Sequence, residues 1–244
     1  MKEITQFENL DVEIRRKARQ KHMHLRVNPD GKVRVTCNKR RTMREILGFV
    51  SESREFIAKR FLHLEAMKKR FPPKQMLSGE NFLLLGAPAK LEVVWGWNEK
   101  IKVGTFDDEN LQIRIEIKAP LGSSPKERLQ ALKNFLKREA RKLLDERTWQ
   151  YAKQMGLYPK KISVRGQSTR WGSCTQSGHV SLNWKLLCAP IEVIDYVVIH
   201  ELAHLEHLNH STEFWNLVEQ NHPEFKRCKK WLKTHEPEIA RQFD

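Results

Sequence analysis

No stretch of about eighteen apolar residues interrupts this 244-residue sequence, so no membrane-spanning helix is expected. The N-terminus, MKEITQFENL, lacks the basic-then-apolar pattern of a secretory leader, which makes the cytoplasm the expected location. Cysteine is scarce, with Cys37, Cys174, Cys188 and Cys228 standing far apart and no CxxC pair among them. Such spacing argues against a cysteine-based zinc knuckle and against a disulfide framework, so reduced thiols are expected. Neither an internal repeat nor a low-complexity segment is visible. A hydrophobic content of 39% is enough for a buried core and excludes a disordered or fibrous chain.

What the sequence has in excess is positive charge. The formal net charge is +15, and residues 1–70 hold 19 Lys/Arg against 9 Asp/Glu, or +10 of it. A field of that sign favours polyanions such as nucleic acid, nucleotides or acidic protein surfaces, although scattered Lys and Arg also serve simply to solvate a small domain.

The order of local signals points to an α+β fold. Apolar and polar residues alternate through His22–Val27 and Lys32–Cys37, with Asn28-Pro29-Asp30-Gly31 as a hairpin turn between them. Thr42 caps a helical pattern carrying Ile46, Phe49, Val50, Ile57, Phe61 and Leu64, which Pro72-Pro73 stops. NFLLLGAPAKLEVVWGW, KIKVGTF and LQIRIEIKA then read as short strands. After Gly122-Ser123-Ser124-Pro125 a long amphipathic helix is expected, with Ser124 as its N-cap and Gly156 as its stop. ISVRGQ and HVSLNWKLL read as strands, joined by the turn-rich STRWGSCTQSG. Pro190 opens a helix expected over Ile191–Leu208, and two further helical pieces follow at Glu213–Gln220 and Glu224–Thr234. These signals divide the chain into a β-rich N-terminal part with one helix, residues 1–120, and a helical core at 124–244 on which it packs.

Chemistry concentrates in VVIHELAHLEHLNHSTEF, which holds four of the ten histidines in eleven positions. His200-Glu201-Leu202-Ala203-His204 is an H-E-x-x-H pattern. On a helix, residues four apart differ by about 40° in heading and about 6 Å in rise, so the two imidazoles converge on one point. Glu201 projects beside them, placed to take a proton from a metal-activated water. Ile194, Val197, Val198, Ile199, Leu202, Ala203 and Leu205 make the helix apolar around most of its circumference, so these polar groups stand at a desolvated wall and need partners. A metal site needs a third protein ligand. His207 shares the heading of His200 but lies about 10.5 Å further along the axis. Glu224 could return from a second helix. His210 follows Asn209, a residue that tolerates the left-handed turn at a helix end, and the spacing favours His210.

RWGSC, SLNWKLL, IDYVVIHELAHLEHLNHSTEFW and PEFKRCKKWL, together with VEIRRKARQKHMHLRVNPDG and GENFLLLG, resemble the YgjP-like metal-dependent hydrolases, a family described as zincin-type metallopeptidases. The resemblance covers nearly the whole chain. It implies a zincin-like core, a peptide or protein substrate, zinc held by His200, His204 and His210, and Glu201 as the catalytic carboxylate. The His204-to-His210 spacing equals that of metzincins, but His207 stands where their Gly does, so that clan is not implied.

Other residues carry weaker signals. Arg170 could stabilise an oxyanion or bind a substrate carboxylate or phosphate, or it could pair with a core carboxylate such as Asp195. Cys174 is expected to be a packed thiol rather than a nucleophile. Trp184, Trp215 and Trp231 read as core aromatics, with Phe214-Trp215 behind the metal helix. Ser211 is the expected N-cap of the next helix, with Thr212 the alternative. The function expected is a zinc metallopeptidase. The alternatives are a metal-dependent nucleotide phosphoanhydride hydrolase and, more remotely, a nucleic-acid module with a structural zinc.

Overall fold

The protein is described from a computed structural model, which covers residues 2–28, 30–96, 100–107, 113–167 and 170–243. The fold is α+β, and the chain forms two compact units, Met1–Pro72 and Pro73–Asp244. The change from strand to helix signals at 120–124 falls inside the second unit, where the long helix covers the sheet that precedes it.

In the first unit, β1 (Lys2–Phe7), β2 (Leu10–Lys17), β3 (His24–Val27) and β4 (Val33–Asn38) form a sheet of order β1-β2-β4-β3. β2 and β4 run parallel, and the outer strands are antiparallel to them. Val33, Val35 and Cys37 alternate inward along β4, as a sheet with one covered face requires. They pack with Ile46, Val50, Ile57 and Leu64 of the helices. On the opposite face of the sheet, between Val12 and Ile14, Glu13 is buried and accepts from Arg15 Nε at 2.8 Å and Arg34 Nη2 at 2.9 Å. The β3–β4 hairpin forms as expected, although Pro29 of its turn lies outside the described residues.

The single helix expected from Thr42 to Pro72 is two, α1 (Met43–Glu52) and α2 (Arg54–Arg70). Ser53, at φ −90° and ψ 10°, breaks the ladder, its N–H shared between the carbonyls of Phe49 and Val50. Strand β1 was not legible as a separate strand.

In the second unit, β5 (Asn81–Leu84), β6 (Ala87–Gly96), β7 (Lys102–Asp107) and β8 (Ile113–Pro120) give the order β5-β6-β8-β7, again with a parallel central pair. Trp97 and Leu111–Gln112 of the expected strands lie outside the described residues. The topology repeats that of the first unit, down to the two-residue turn in its first hairpin. Glu8 and Asn9 have φ 49° and 65°, and Leu85 and Gly86 have φ 49° and 80°. Each sheet is followed by a helix opened by a capping box, Thr42 with Glu45 and Ser124 with Glu127. This structural repeat has no counterpart visible in the residues, because period-two burial can be met by many apolar side chains.

Helix α3 (Pro125–Met155) runs as expected from Ser124 to a left-handed Gly156. Its buried face, Leu132, Phe135, Leu136, Ala140, Leu144 and Ala152, joins the core that β6 and β8 supply through Leu91, Val93, Ile115 and Ile117. A small sheet follows, with β10 (Gly172–Cys174) on its edge, β11 (His179–Asn183) in its centre and β9 (Lys161–Arg165) parallel to β11. β10 lies in the segment read from the sequence as a link, and a 3-10 helix at Trp184–Cys188 replaces the second half of the strand expected there. Then come α4 (Ile191–Ala203), α5 (Thr212–Asn221) and α6 (Phe225–Arg241). Among the described residues no helix is long and apolar enough to cross a membrane.

The start of α4 is fixed by the β5–β6 turn. Leu85 and Gly86 N–H donate to the carbonyls of Leu187 and Cys188 at 2.8 and 3.0 Å. A β-carbon on Gly86 would meet Pro190 Cγ at 2.5 Å. Only glycine satisfies both the positive φ and the contact.

Candidate metal centre

Helix α4 is buried on nearly every side, from Val193 and Ile194 through Val198 and Ile199 to Leu202 and Ala203. It ends at Ala203 rather than at Leu208, and His204 is its C-cap. Leu205 and Glu206 N–H reach back only three residues, to Leu202 and Ala203, and His207 N–H also bonds Ala203. This tightened turn carries the chain round so that His210 comes back to the helix. Asn209 is not left-handed as the sequence reading required; the positive-φ non-glycine residues among those described are Glu8, Asn9, Met76 and Leu85.

His200, His204 and His210 offer ligand nitrogens that lie within 4.8 Å of one another. His200 Nε2 and His210 Nε2 are 3.2 Å apart. Two nitrogens on a tetrahedral ion with bonds of about 2.0–2.1 Å sit about 3.3–3.4 Å apart, so this edge already has the size of a zinc site. His204 Nδ1 donates to the carbonyl of His207 at 3.0 Å, which fixes the tautomer and leaves Nε2 with its lone pair free. His207 therefore contributes backbone, not imidazole. Neither it nor Glu224, which precedes α6, belongs to the cluster.

The electrostatics suit a cation. Burial pushes His200 down to about 3, helped by His204 and His210, and burial with His204 also lowers His210. Both rings are thus neutral near pH 7, the form that binds metal. Burial pushes Glu201 up to about 8, against a lowering pull from Arg170. Glu201 Oε2 and His200 Nδ1 are buried without a hydrogen-bond partner, as expected of groups that another charge or a water must satisfy.

Aromatic rings back the cluster. Phe214, fully buried, stands 5.0, 4.6 and 4.8 Å from the rings of His200, His204 and His210, and Trp215 stacks on His210 at 5.6 Å. Trp184 is a core residue and Trp231 stacks on His235 at 4.0 Å. Ser211 caps α5 as expected, accepting from Phe214 N–H.

Arg170 is exposed, and it does not pair with Asp195. That carboxylate is taken by Arg147, whose Nε donates at 2.6 Å, and by the Tyr151 hydroxyl at 3.1 Å. Arg170 lines a recess of about 30 Å³ with Gln167, Trp171 and Glu236, too small for more than a water. Cys174 is half-buried, its thiol pushed up to about 11 by burial and by Glu201; it is no thiolate nucleophile. Its Sγ contacts the Thr175 carbonyl.

Two residues of the motifs RWGSC and PEFKRCKKWL have roles at the site that local spacing does not give. Gly172, the first residue of β10, abuts the Glu201 side chain. Lys229 of α6 lies 4.8 Å over the Trp215 ring, and its charge lowers His200 and His210. Both depend on elements that meet only in the fold.

No curated protein matches the chain. Among solved structures, the metallopeptidase zymogen abylysin of Pyrococcus abyssi is 24% identical over 42% of this chain and 97% of its own, with a TM-score of 0.34. The family model described as YgjP-like, metallopeptidase domain, matches residues 21–235, nearly the whole length, and the protein belongs to that family.

Proposed function

We propose that the protein is a zinc-dependent peptidase in which His200, His204 and His210 hold the ion and Glu201 is the general base. The observation that carries this reading is the convergence of three imidazole nitrogens, two of them 3.2 Å apart, next to a buried carboxylate with a free oxygen. A divalent ion in that position supplies Lewis acidity, polarising a carbonyl and lowering the pKa of a water to about 7. Imidazole donors favour zinc over harder ions.

Glu201 moves the proton. In the metal-free chain its carboxyl is raised to about 8 and keeps its proton near neutral pH; a bound cation would lower that value and free Oε2 to take a proton and return it to a leaving amine. Arg170 draws the value back down, so an approaching cation and Arg170 act on Glu201 in the same direction. Phe214 and Trp215 close the back of the histidine cluster to water, which strengthens each charge interaction in front of them.

The test is casein hydrolysis by the zinc-loaded chain beside Glu201→Gln, with zinc per protein measured for both. The expected outcome is zinc retained and turnover reduced by about 10² to 10⁴. Equal hydrolysis by the two proteins would remove Glu201 from the mechanism. Nucleoside triphosphates belong in a parallel arm, because Arg170 and Lys229 bring positive charge to the site. Triphosphate cleavage without casein cleavage, abolished by the same substitution, would move the assignment to a phosphoanhydride hydrolase. Inactivity in both arms would leave a structural ion.

A further inference from the structure

In the first unit, part of the positive charge is gathered rather than spread. Among the described residues, an open cleft of about 900 Å³ is lined by the cations Arg19, Lys21, Arg40 and Arg41, with Glu45 as its one carboxylate. Two turns build it. β2 and β4 pair in parallel, with Lys17 opposite Asn38, so the chain leaves both strands on the same side. The segment after β2 supplies Arg19 and Lys21, and the segment after β4 supplies Arg40 and Arg41.

The backbone beneath these cations is fixed. Asn38 Nδ2 donates to the carbonyls of Ala18 at 3.0 Å and Gln20 at 3.2 Å, and its Oδ1 accepts from Arg40 N–H at 3.0 Å. Arg16 Nη1 donates to the carbonyls of Arg41 at 2.6 Å and Lys39 at 3.4 Å. The charged ends are left unspent. Among the described residues Arg19, Lys21 and Arg40 have no carboxylate partner, whereas Glu45 is engaged by Thr42 N–H, Thr42 Oγ1 and Arg41 Nη1.

The second unit serves as an internal control. It has the same strand order and the same capping box, yet Leu121-Gly122-Ser123 stands where the first unit has Lys39-Arg40-Arg41. No residue of this turn is a cation; the one guanidinium that reaches it, Arg128 of α3, is buried and bonded to the Ser123 carbonyl and hydroxyl, so it presents no charge to solvent. Grouping them in the first unit adds self-repulsion to the native state, which a bound anion would offset.

We propose that this cleft binds the phosphodiester backbone of a nucleic acid. Guanidinium forks match phosphate oxygens bidentately, and cations from two separate turns suit a chain of phosphates better than a single one. Among the described residues no aromatic side chain lines the cleft, so a base finds none of them to stack on and a free nucleotide gains little beyond its charge. Binding is therefore insensitive to base sequence. The site belongs to the first unit alone and stands or falls apart from the metal centre.

Fluorescence anisotropy of the full chain with a labelled single strand of about 20 nucleotides and a duplex of the same length, from 50 to 200 mM salt, tests it. The expected result is a log–log salt dependence for at least one of the two. The triple variant Arg19→Ala/Lys21→Ala/Arg40→Ala should bind at least tenfold more weakly, with a slope shallower by about 2 to 3. Arg40→Ala alone should reduce the slope by about 1, so a triple variant that misfolds leaves a second reading. An equal loss in the charge-matched Arg60→Ala/Lys68→Ala/Lys69→Ala variant on α2 would overturn the cleft in favour of diffuse charge. Displacement of the oligonucleotide by ATP at equal phosphate concentration would assign a nucleotide pocket instead. Cleft-dependent binding to phosphatidylserine vesicles without oligonucleotide binding would assign a membrane surface.

Discussion

The Glu201 carboxylate lies against the α-carbon of Gly172, where an added β-carbon would come within 2.5 Å of Oε1 and 2.6 Å of Cγ. The first residue of an edge strand therefore sets where the carboxylate can stand. Any side chain at 172 must push Glu201 out of its place, because β10 is held to β11 in register from Gly172–Leu182 to Cys174–Val180.

Gly172→Ala should for this reason separate metal binding from turnover. The three atoms nearest the added methyl group all belong to Glu201, which is not a ligand, so zinc per protein should equal that of the unaltered chain. Hydrolysis should fall at least tenfold, since displacements of about 1 Å at a reacting group have costs of about 10²-fold. Elemental analysis beside casein hydrolysis checks both, and a fully active Gly172→Ala protein would show that Glu201 is not confined by β10.

How far this site was readable from residues alone follows from which contacts are local. His200, Glu201 and His204 lie within one helical turn, so spacing sufficed to bring them together. His210 was reached through the wrong device: the chain returns by a tightened turn after Ala203, not by a left-handed Asn209. Gly172 lies in RWGSC and Lys229 in PEFKRCKKWL, which the resemblance to the family includes, but their contacts with Glu201 and Trp215 arise only because β10 and α6 pack on α4. Of the two alternatives open for Arg170, pairing with Asp195 does not occur, for the same reason. Arg147 lies 48 positions away on α3, and among many basic residues sequence offers no means of choosing one. The strands β5 to β8 and the caps of α3 were legible, since alternation and capping are properties of short windows.

Metal content should depend on His210 and not on His207. His207 holds His204 through its carbonyl, which survives truncation, so His207→Ala should keep its zinc while His210→Ala loses most of it. Chelation should lower the melting temperature of the unaltered protein and of His207→Ala alike. Free metal at a hundredfold its dissociation constant stabilises by about 2.7 kcal/mol. His210→Ala should melt almost equally with and without chelator. A His207→Ala protein devoid of zinc would reassign the third ligand.

The metal-free chain should lose stability as pH rises above about 6.5. Glu201 is raised by burial to about 8 from 4.5, so the folded state keeps its proton where the unfolded state has released it. Stability from this group is fully present below about pH 4.5 and is lost as pH rises through about 8, by a few kcal/mol in total. His200, lowered to about 3 from 6.5, acts at the other end: its contribution is present above pH 6.5 and is lost as pH falls toward 3. Glu201→Gln removes only the first effect. Thermal melts of the chelated proteins should stay nearly level for the parent between pH 5 and pH 6.5, where the two effects oppose, and fall between pH 6.5 and pH 8, whereas Glu201→Gln should rise over the first interval and stay nearly level over the second; parallel curves would mean that Glu201 is not held protonated by its surroundings.

Five residues before His200, Asp195 anchors α4 to α3. Its carboxylate is 6% exposed and is bonded by Arg147 Nε at 2.6 Å, by Arg147 Nη2, and by the Tyr151 hydroxyl at 3.1 Å. Asp195 raises the pKa of Arg147, and burial followed by Asp195 raises that of Tyr151, so all three protons stay in place across the physiological range. Removing Arg147 leaves a buried carboxylate with a single phenol donor. Breaking a fully buried pair costs about 3–5 kcal/mol, and because the Arg147 side chain is partly exposed about 2–3 kcal/mol is expected for Arg147→Ala. Arg147→Lys should recover little, since an ammonium cannot reproduce the two-pronged contact. Asp195→Asn combined with Arg147→Ala leaves no stranded charge and should be more stable than Arg147→Ala alone. Urea unfolding of the zinc-saturated single and double variants measures the coupling, and losses that simply add would mean that the two residues stabilise α4 independently.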